Sequence, residues 1–258
     1  MTAPASRRAF LFAAAAARFP QLIKASGLAD EAYWEMVRAH FAFSEQRTPM
    51  NAANLCPAPR MVSERVVDLT LDMDRDCSFQ NREKFTRTLD HKWFMGPREV
   101  GILYVKKERM REIWPSCVAP GWGDDVEPDV AGARKFESMG QRDDARLAAV
   151  RNAAEFHAAV GAAQVEARIL ELARMLKEEA RALDLALVTP LQPELSAGVV
   201  VIRAPGVKAR EIHEALYRQW GIAGAATGGL RLCPHIYNTR GHLERVAAAL
   251  RSMRSLFA

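Results

Sequence analysis

The segment at positions 90–97 (Asp-His-Lys-Trp-Phe-Met-Gly-Pro) holds the residue best suited to covalent chemistry, Lys92, which lies between His91 and the aromatic residue Trp93. Burial beside aromatic rings lowers the pKa of a lysine because the charged form loses hydration, and the neutral amine is a nucleophile near neutral pH. Such an amine can form a Schiff base with a carbonyl cofactor. The alternative is a surface lysine whose aliphatic stem packs on its neighbours.

Arg231 is the second candidate, in the segment 230–239 (Leu-Arg-Leu-Cys-Pro-His-Ile-Tyr-Asn-Thr). Strand alternation places Leu230 and Leu232 on one face and Arg231 on the other. A guanidinium is a planar fork that binds both oxygens of a carboxylate, so an arginine aimed into a cleft suits an acidic substrate group. The alternative is a surface arginine on an edge strand.

The C-terminal half of the chain positions Arg231 and alternates predicted helices and strands, which is typical of a small α/β domain. Apolar periodicity and β-branched runs predict, in chain order, a helix over 143–161, a helix whose stripe runs from Val165 to Leu183, a strand over 198–203, a helix over 208–219, a strand over 229–233 and a last helix capped by Thr239.

The N-terminal half carries weaker patterns. They predict a helix over 30–43 and a loop rich in Asn and Pro over 48–60. The continuous apolar run 100–105 directly after the Lys92 segment predicts a strand covered on both faces. A helix is then expected from 106 until Pro115 stops it.

Composition excludes several classes of function. The 36 Lys and Arg exceed the 31 Asp and Glu by 5, but they are spread along the chain, so no nucleic-acid partner is expected and at most a mild preference for anionic ligands follows. The 4 cysteines form no CxxC pair, and no HExxH is present. Neither a metal site nor a disulfide framework is predicted.

The first 28 residues admit two interpretations. Arg7 and Arg8, followed by an apolar run to Ala17, resemble a twin-arginine export signal, which would direct the protein out of the cytoplasm. The other interpretation is an Ala-rich helix that begins the domain of a cytoplasmic protein. Because the apolar run is far too short to span a bilayer, no membrane partner is expected.

A family resemblance adds to these residue-level arguments. The segment 91–97 followed by 101–105 resembles the lysine segment of class V aminotransferases, in particular the isopenicillin N epimerase-like branch. The resemblance implies a pyridoxal-phosphate (PLP) transferase fold of type I. It also implies that Lys92 forms a Schiff base with pyridoxal 5'-phosphate and that His91 contacts the cofactor phosphate.

Three other segments resemble the same family. The stretch 136–143 is similar to the one that reaches the PLP phosphate of the partner subunit, which implies a homodimer and gives this role to Gln141, where many relatives have Thr. The segment 230–239 is similar to the family's substrate-arginine strand, which implies that Arg231 binds the α-carboxylate of an amino-acid substrate. The loop 51–60 is similar to the family's N-terminal segment near the active site.

The chain departs from the family pattern before Lys92. Between Phe85 and His91 only five residues stand in place of a long stretch, which in the family supplies most of the central sheet, the aromatic residue that stacks on the pyridine ring, the Asp that pairs with its nitrogen, and the phosphate loop. We therefore expect an α/β fold that is a partial PLP-transferase fold of type I. Its expected parts are the signal or helix over 1–28, a truncated large domain over 29–142 and a C-terminal small α/β domain over 143–258.

Two functions follow as expectations. The first is a PLP-dependent enzyme that acts on an amino acid as an aminotransferase, epimerase or lyase through Lys92, impaired by the missing stretch. The second is a non-catalytic remnant that serves as an interaction or dimerisation module. Relatives with cysteine desulfurase activity carry a nucleophilic cysteine shortly before the substrate arginine. This chain has no cysteine between Pro205 and Leu230, so that activity is not favoured.

Overall fold

The computed structural model describes residues 22, 30–53, 56–75, 93–97, 100, 103–115, 133–136, 143–204 and 206–257. Within these ranges the α-helices are α1 (Glu31–Arg38), α2 (Arg60–Arg75), α3 (Asp144–Val160), α4 (Ala162–Ala182), α5 (Gly206–Trp220) and α6 (Arg240–Ser252). Short 3-10 turns occupy Lys107–Arg109, Ala133–Phe136, Pro193–Leu195 and Arg254–Phe257.

In the part of the chain that the structure describes, two small sheets lie among these helices. Strands β2 (Val200–Ile202), β5 (Leu230–Leu232) and β4 (Ala225–Ala226) form an antiparallel sheet in the order β2-β5-β4. Strands β1 (Thr48–Pro49) and β3 (Ile222–Ala223) pair in parallel. The predicted strands around 200 and 231 and the helices α3 to α6 are therefore confirmed, with ends that differ by a few residues.

The junction between α3 and α4 shows how the sequence ends one long helix and begins the next. Asp143 caps α3 by accepting a hydrogen bond from the Arg146 amide at 2.9 Å. Gly161 adopts a φ of 91°, a left-handed conformation that costs glycine little, and its amide donates to the His157 carbonyl at 2.8 Å. The two helices can consequently turn relative to each other within one residue.

The main core lies between the three-stranded sheet and helices α4, α5 and α6. Leu172 and Leu176 of α4 pack with Ile212 of α5 and with Leu230 and Leu232 of β5, all of them fully or almost fully buried. The predicted stripe on α4 supplies part of this core, and periodicity was sufficient to identify the buried face of that helix.

A second apolar cluster joins the N-terminal segment to the C-terminal half. Trp34 and Phe41 pack with Phe156 of α3 and Tyr237 in a mainly aromatic group. Helix α2 lies along α3, with Val62 packed on Ala149 and Ala153. Part of the expected 29–142 region is thus closely packed on the expected small domain, although the limits of the three predicted regions remain predictions.

The prediction of a covered strand over 100–105 is wrong for its described residues. Positions 103–106 have no strand structure, and Leu103 and Tyr104 are 63% and 79% exposed, although Val100 is buried. A strand needs hydrogen-bonded neighbours, and among the described residues the two sheets contain only the strands listed above. The helix expected after Lys106 is likewise only the 3-10 turn Lys107–Arg109.

Helix α2 was not predicted, since its many charges hide a narrow apolar face made by Val62, Val66 and Leu69. Within the described ranges, no helix combines the length and the apolar character that crossing a bilayer requires.

The cap of α6 gives a stability prediction. Thr239 Oγ1 accepts a hydrogen bond from the His242 amide, and the His242 ring accepts one from the Thr239 amide at 3.0 Å, which together form a capping box. We expect Thr239→Ala to lower the free energy of unfolding by about 1 kcal/mol. Urea denaturation followed by circular dichroism measures this change. Thr70→Ala, on the exposed side of α2, is the matched control and should change stability by less than about 0.5 kcal/mol; equal losses in both variants would contradict the prediction.

Candidate functional site

Arg231 lies in the middle of β5, the central strand of the three-stranded sheet. It pairs with Val201 on one side and with Ala225 on the other. Leu230 and Leu232 are fully buried, whereas Arg231 is half-buried on the opposite face. The predicted alternation is confirmed, but Arg231 stands on a central strand and not on an edge strand.

Within the described ranges, one weak hydrogen bond holds the guanidinium of Arg231. Its Nη2 donates to Asn51 Oδ1 at 3.4 Å, and its Nε is buried without a hydrogen-bond partner. Among the described residues no carboxylate lies within ion-pair distance of this side chain. A buried donor of a charged group without an acceptor is costly in the free protein, so the site is suited to an anionic ligand.

Backbone hydrogen bonds place Asn51 beside Arg231. The segment around it runs next to β3 and the end of β5: the Met50 amide donates to the Ala223 carbonyl at 2.9 Å, and the Cys233 amide donates to the Met50 carbonyl at 2.6 Å. Asn51 itself forms a parallel bridge with Cys233. The N-terminal loop that resembles the family's active-site segment therefore does reach the arginine.

The loop 234–238, which follows β5, is entirely buried. The Asn238 side chain connects the loop to the N-terminal segment: its Oδ1 accepts from the His235 amide at 2.8 Å, and its Nδ2 donates to the Pro49 carbonyl at 3.0 Å. The carbonyl of Asn238 accepts from Arg168 Nη2 at 3.0 Å. The loop thereby fixes the arginine strand to the N-terminal segment and to α4.

His235 connects this loop to the residue that follows Lys92 in the chain. Its Nε2 donates to the Trp93 carbonyl at 3.1 Å, and the two rings lie 5.4 Å apart. Burial lowers the pKa of His235 from 6.5 to about 3, with a smaller contribution from His157. The ring is therefore neutral at physiological pH, with its proton on Nε2.

The next residues, Phe94 and Met95, are also held by packing against the C-terminal half of the chain or by burial. The Phe94 ring stacks on His157 with centroids 4.7 Å apart, and burial lowers the pKa of His157 to about 4. Met95 is fully buried with a φ of 58°, which is unusual for a residue with a side chain. The segment after Lys92 thus has a specific conformation fixed by two neutral imidazoles.

Gly198 provides the space for the Trp93 ring. A Cβ at this position would lie 2.7 Å from the Trp93 ring and 2.5 Å from Ile169. Contacts this short are not tolerated without displacement of one group. The absence of a side chain at 198 therefore leaves the space in which the Trp93 ring packs.

The thiols near the site are not suited to nucleophilic chemistry. Burial raises the pKa of Cys56 to about 12, although Cys56 Sγ lies 3.6 Å from the Tyr237 hydroxyl. Burial also raises the pKa of Cys233. Both therefore remain protonated and unreactive near neutral pH.

Arg231 lies on the predicted strand, and its role as the substrate arginine stays a prediction. Lys92, His91 and Gln141 lie outside the described residues. Sequence reasoning assigned no contact to Asn51 and missed His235. The sequence signal for His235 was a single histidine within the otherwise mainly apolar run from Cys233 to Tyr237. In the part of the chain that the structure describes, no cluster of three or more metal-ligating side chains is present.

Comparisons with known proteins agree with this arrangement. The family model for aminotransferase class-V matches residues 87–252. The chain is 31% identical over 180 residues to the isopenicillin N epimerase of Streptomyces clavuligerus and 29% identical over 179 residues to that of Amycolatopsis lactamdurans. These alignments cover 62% and 63% of this chain but 44% and 45% of the relatives, so the chain spans less than half the length of the curated relatives it matches.

Solved structures share the fold. The apo cysteine desulfurase from Thermococcus onnurineus NA1 superposes with a TM-score of 0.52 at 22% identity, covering 63% of this chain and 45% of that one. The cystine C-S lyase C-DES in complex with cysteine persulfide gives a TM-score of 0.52 at 25% identity, with coverage of 62% and 44%. The predicted fold class, a partial PLP-transferase fold of type I, is confirmed.

Neutral His235 gives a prediction on acid stability. In the unfolded chain His235 is protonated below pH 6.5, whereas in the folded chain it is protonated only near pH 3. The contribution of neutral His235 to the free energy of unfolding is therefore complete above pH 6.5 and decreases as the pH falls below that value. The variant His235→Gln keeps a donor for the Trp93 carbonyl but cannot titrate. We expect its free energy of unfolding to fall less steeply between about pH 6 and pH 4, by about 1.4 kcal/mol per pH unit. Urea denaturation of both proteins across this range measures the slopes, and identical slopes would contradict the assignment.

Proposed function

The chain belongs to the class-V aminotransferase family, and we propose on that premise that it is a PLP-dependent enzyme acting on an amino acid, of the aminotransferase or epimerase type, through Lys92. The observation that carries the substrate class is the guanidinium of Arg231, which has a buried Nε without a partner and no carboxylate within reach in the described residues. An amino acid supplies the missing carboxylate.

Arg231 would bind the α-carboxylate and orient the substrate. Its guanidinium would offer two N–H donors to the two carboxylate oxygens, while Asn51 Oδ1 accepts from Nη2. Because β5 is hydrogen-bonded on both sides, the arginine backbone is rigid. Such a rigid clamp fixes the position of the substrate α-carbon.

The cofactor roles rest on the family resemblance. Lys92 would hold pyridoxal 5'-phosphate and then remove and return a proton at the substrate α-carbon, and His91 would contact the phosphate. When bound, the cofactor supplies an electron sink that stabilises negative charge at that carbon. The hydrogen bond from His235 to the Trp93 carbonyl supports this proposal, since a peptide bond joins Trp93 to Lys92 and one loop therefore links the two key residues.

Two further properties are part of the proposal. A homodimer would bring Gln141 of one subunit to the cofactor phosphate of the other. The activity would be impaired, because the resemblance assigns the ring-nitrogen carboxylate and the phosphate loop to the stretch missing before His91. The limits 1–28, 29–142 and 143–258 remain our proposed division of the chain.

One observation favours the alternative of a non-catalytic interaction or dimerisation module. Several large apolar side chains in the segment 103–115 are exposed, among them Leu103, Tyr104 and Trp114 at 63%, 79% and 62%. Large apolar side chains that are exposed within one segment are a feature of interaction surfaces. The two functions differ in whether Lys92 binds the cofactor.

A cofactor-binding experiment separates the two functions. We expect the purified protein, incubated with PLP and freed of excess, to show the visible absorbance of a lysine-bound cofactor, and Lys92→Ala to lose it. Lys106→Ala, at an exposed lysine, is the matched control and should keep the band. No band in the wild-type protein would exclude the enzyme, and a band that persists in Lys92→Ala would disprove the role of this lysine.

Arg231 gives a prediction on substrate binding. We expect Arg231→Gln to raise the dissociation constant of an amino-acid substrate by about 100-fold, since two charge-assisted hydrogen bonds are lost. Titration of the cofactor absorbance with a panel of L- and D-amino acids measures this constant. Arg218→Gln, at an exposed position of α5, is the control and should leave it unchanged. A change below about twofold in Arg231→Gln would refute the carboxylate role.

A further inference from the structure

A groove of about 540 Å³ lies on α4, on a part of the molecule that the proposed active site does not use. One wall is a face of α4, the other is the loop 191–197, and Trp34 and Arg240 close one end. Neither Arg231 nor Trp93 lines this groove. Its volume is in the range of pockets that bind small molecules.

At the closed end the charges balance within the protein. Arg168 pairs with Glu31 and Glu171 at 2.9 and 3.0 Å, and Arg240 pairs with the same two carboxylates at 3.7 and 2.7 Å. Hydrogen bonds and charge from these two arginines lower the pKa of Glu171, against an opposing effect of burial. This network leaves no net charge for a ligand to neutralise.

Lys177, nearer the other end, has no counter-ion. Its side chain is 5% exposed, and its ammonium donates to the carbonyls of Pro190 and Leu191 at 3.3 Å each and to Ser196 Oγ at 2.8 Å. Among the described residues no carboxylate lies within ion-pair distance of it. A buried cation with only neutral acceptors retains much of its desolvation cost, which an anion in the groove would offset.

The groove also offers an accessible cation and apolar walls. Arg174 is 63% exposed and contacts Glu178 through one nitrogen, which leaves the rest of its fork open. Leu170, Leu191 and Pro193 line the walls, and the two leucines are 37% and 45% exposed. Close to the balanced end, Gln164 Oε1 and Arg168 Nε are buried without hydrogen-bond partners.

From this combination we propose that the groove binds a small organic carboxylate with an apolar body. The carboxylate accepts hydrogen bonds from Arg174 and lies near the positive charge of Lys177, whose three donors stay with their protein acceptors, and the apolar body lies against Leu170, Leu191 and Pro193. The apolar walls favour such a ligand over inorganic phosphate, which has only polar surface to offer. The proposal is independent of the function proposed for Lys92 and Arg231.

Phenylacetate is a suitable probe, with phenylacetamide as the uncharged analogue of the same shape and inorganic phosphate as the anion without an apolar body. We expect isothermal titration calorimetry to show saturable binding of phenylacetate with a dissociation constant of about 1 mM or below. Phenylacetamide and inorganic phosphate should each bind about tenfold more weakly or not at all.

Variants locate the binding. Lys177→Met should weaken phenylacetate binding about tenfold. Because this change also removes a donor from two carbonyls and can loosen the loop, Arg174→Gln and Leu191→Glu test the groove from exposed positions, with expected losses of about threefold and tenfold. Lys107→Met, at an exposed lysine elsewhere, should leave binding unchanged.

Arg231→Gln distinguishes the groove from the proposed substrate site, and we expect it to leave phenylacetate binding unchanged. Each of four results would overturn the proposal: no saturable binding of phenylacetate up to about 10 mM, equal binding of phenylacetamide or phosphate, unchanged affinity in both Arg174→Gln and Leu191→Glu, or a loss of binding in Arg231→Gln alone.

Discussion

A loop buried inside a protein must satisfy its backbone polar groups internally, and in the loop 234–238 the Asn238 side chain contributes to this by accepting from the His235 amide, while it also donates to the Pro49 carbonyl. The same hydrogen bonds hold the segment at Pro49 next to β5, while Arg168 of α4 donates to the Asn238 carbonyl. His235, in the middle of the loop, donates to the Trp93 carbonyl. Trp93, Pro49 and Arg168 are distant in sequence, and hydrogen bonds to this one buried loop bring them together.

This arrangement explains how the candidate site is assembled. Arg231 comes from the central strand, Asn51 from the N-terminal loop, and Trp93 from the segment that follows Lys92. The family model covers the arginine and the lysine but not Asn51, which precedes its first matched residue. The N-terminal part of the chain is nevertheless integral to the site, since its backbone bonds to β3 and to Cys233 place Asn51.

The sequence was informative where local patterns decide the structure. Helical periodicity identified α4 and α6, alternation placed Arg231 opposite Leu230 and Leu232, and Thr239 caps α6 as expected. It misled at 100–105, where an apolar run becomes a strand only if neighbouring strands pair with it. His235 and Gly198 could not be assigned in advance, because their roles depend on contacts with Trp93 that are distant in sequence.

The central claim is that Lys92 is the residue that holds the cofactor. Reduction of the PLP-treated protein with sodium borohydride converts a lysine-bound cofactor into a stable secondary amine, which peptide mass spectrometry can locate. Our account predicts a single modified peptide, with the label on Lys92. A label on another lysine, or a protein without any label, would contradict it.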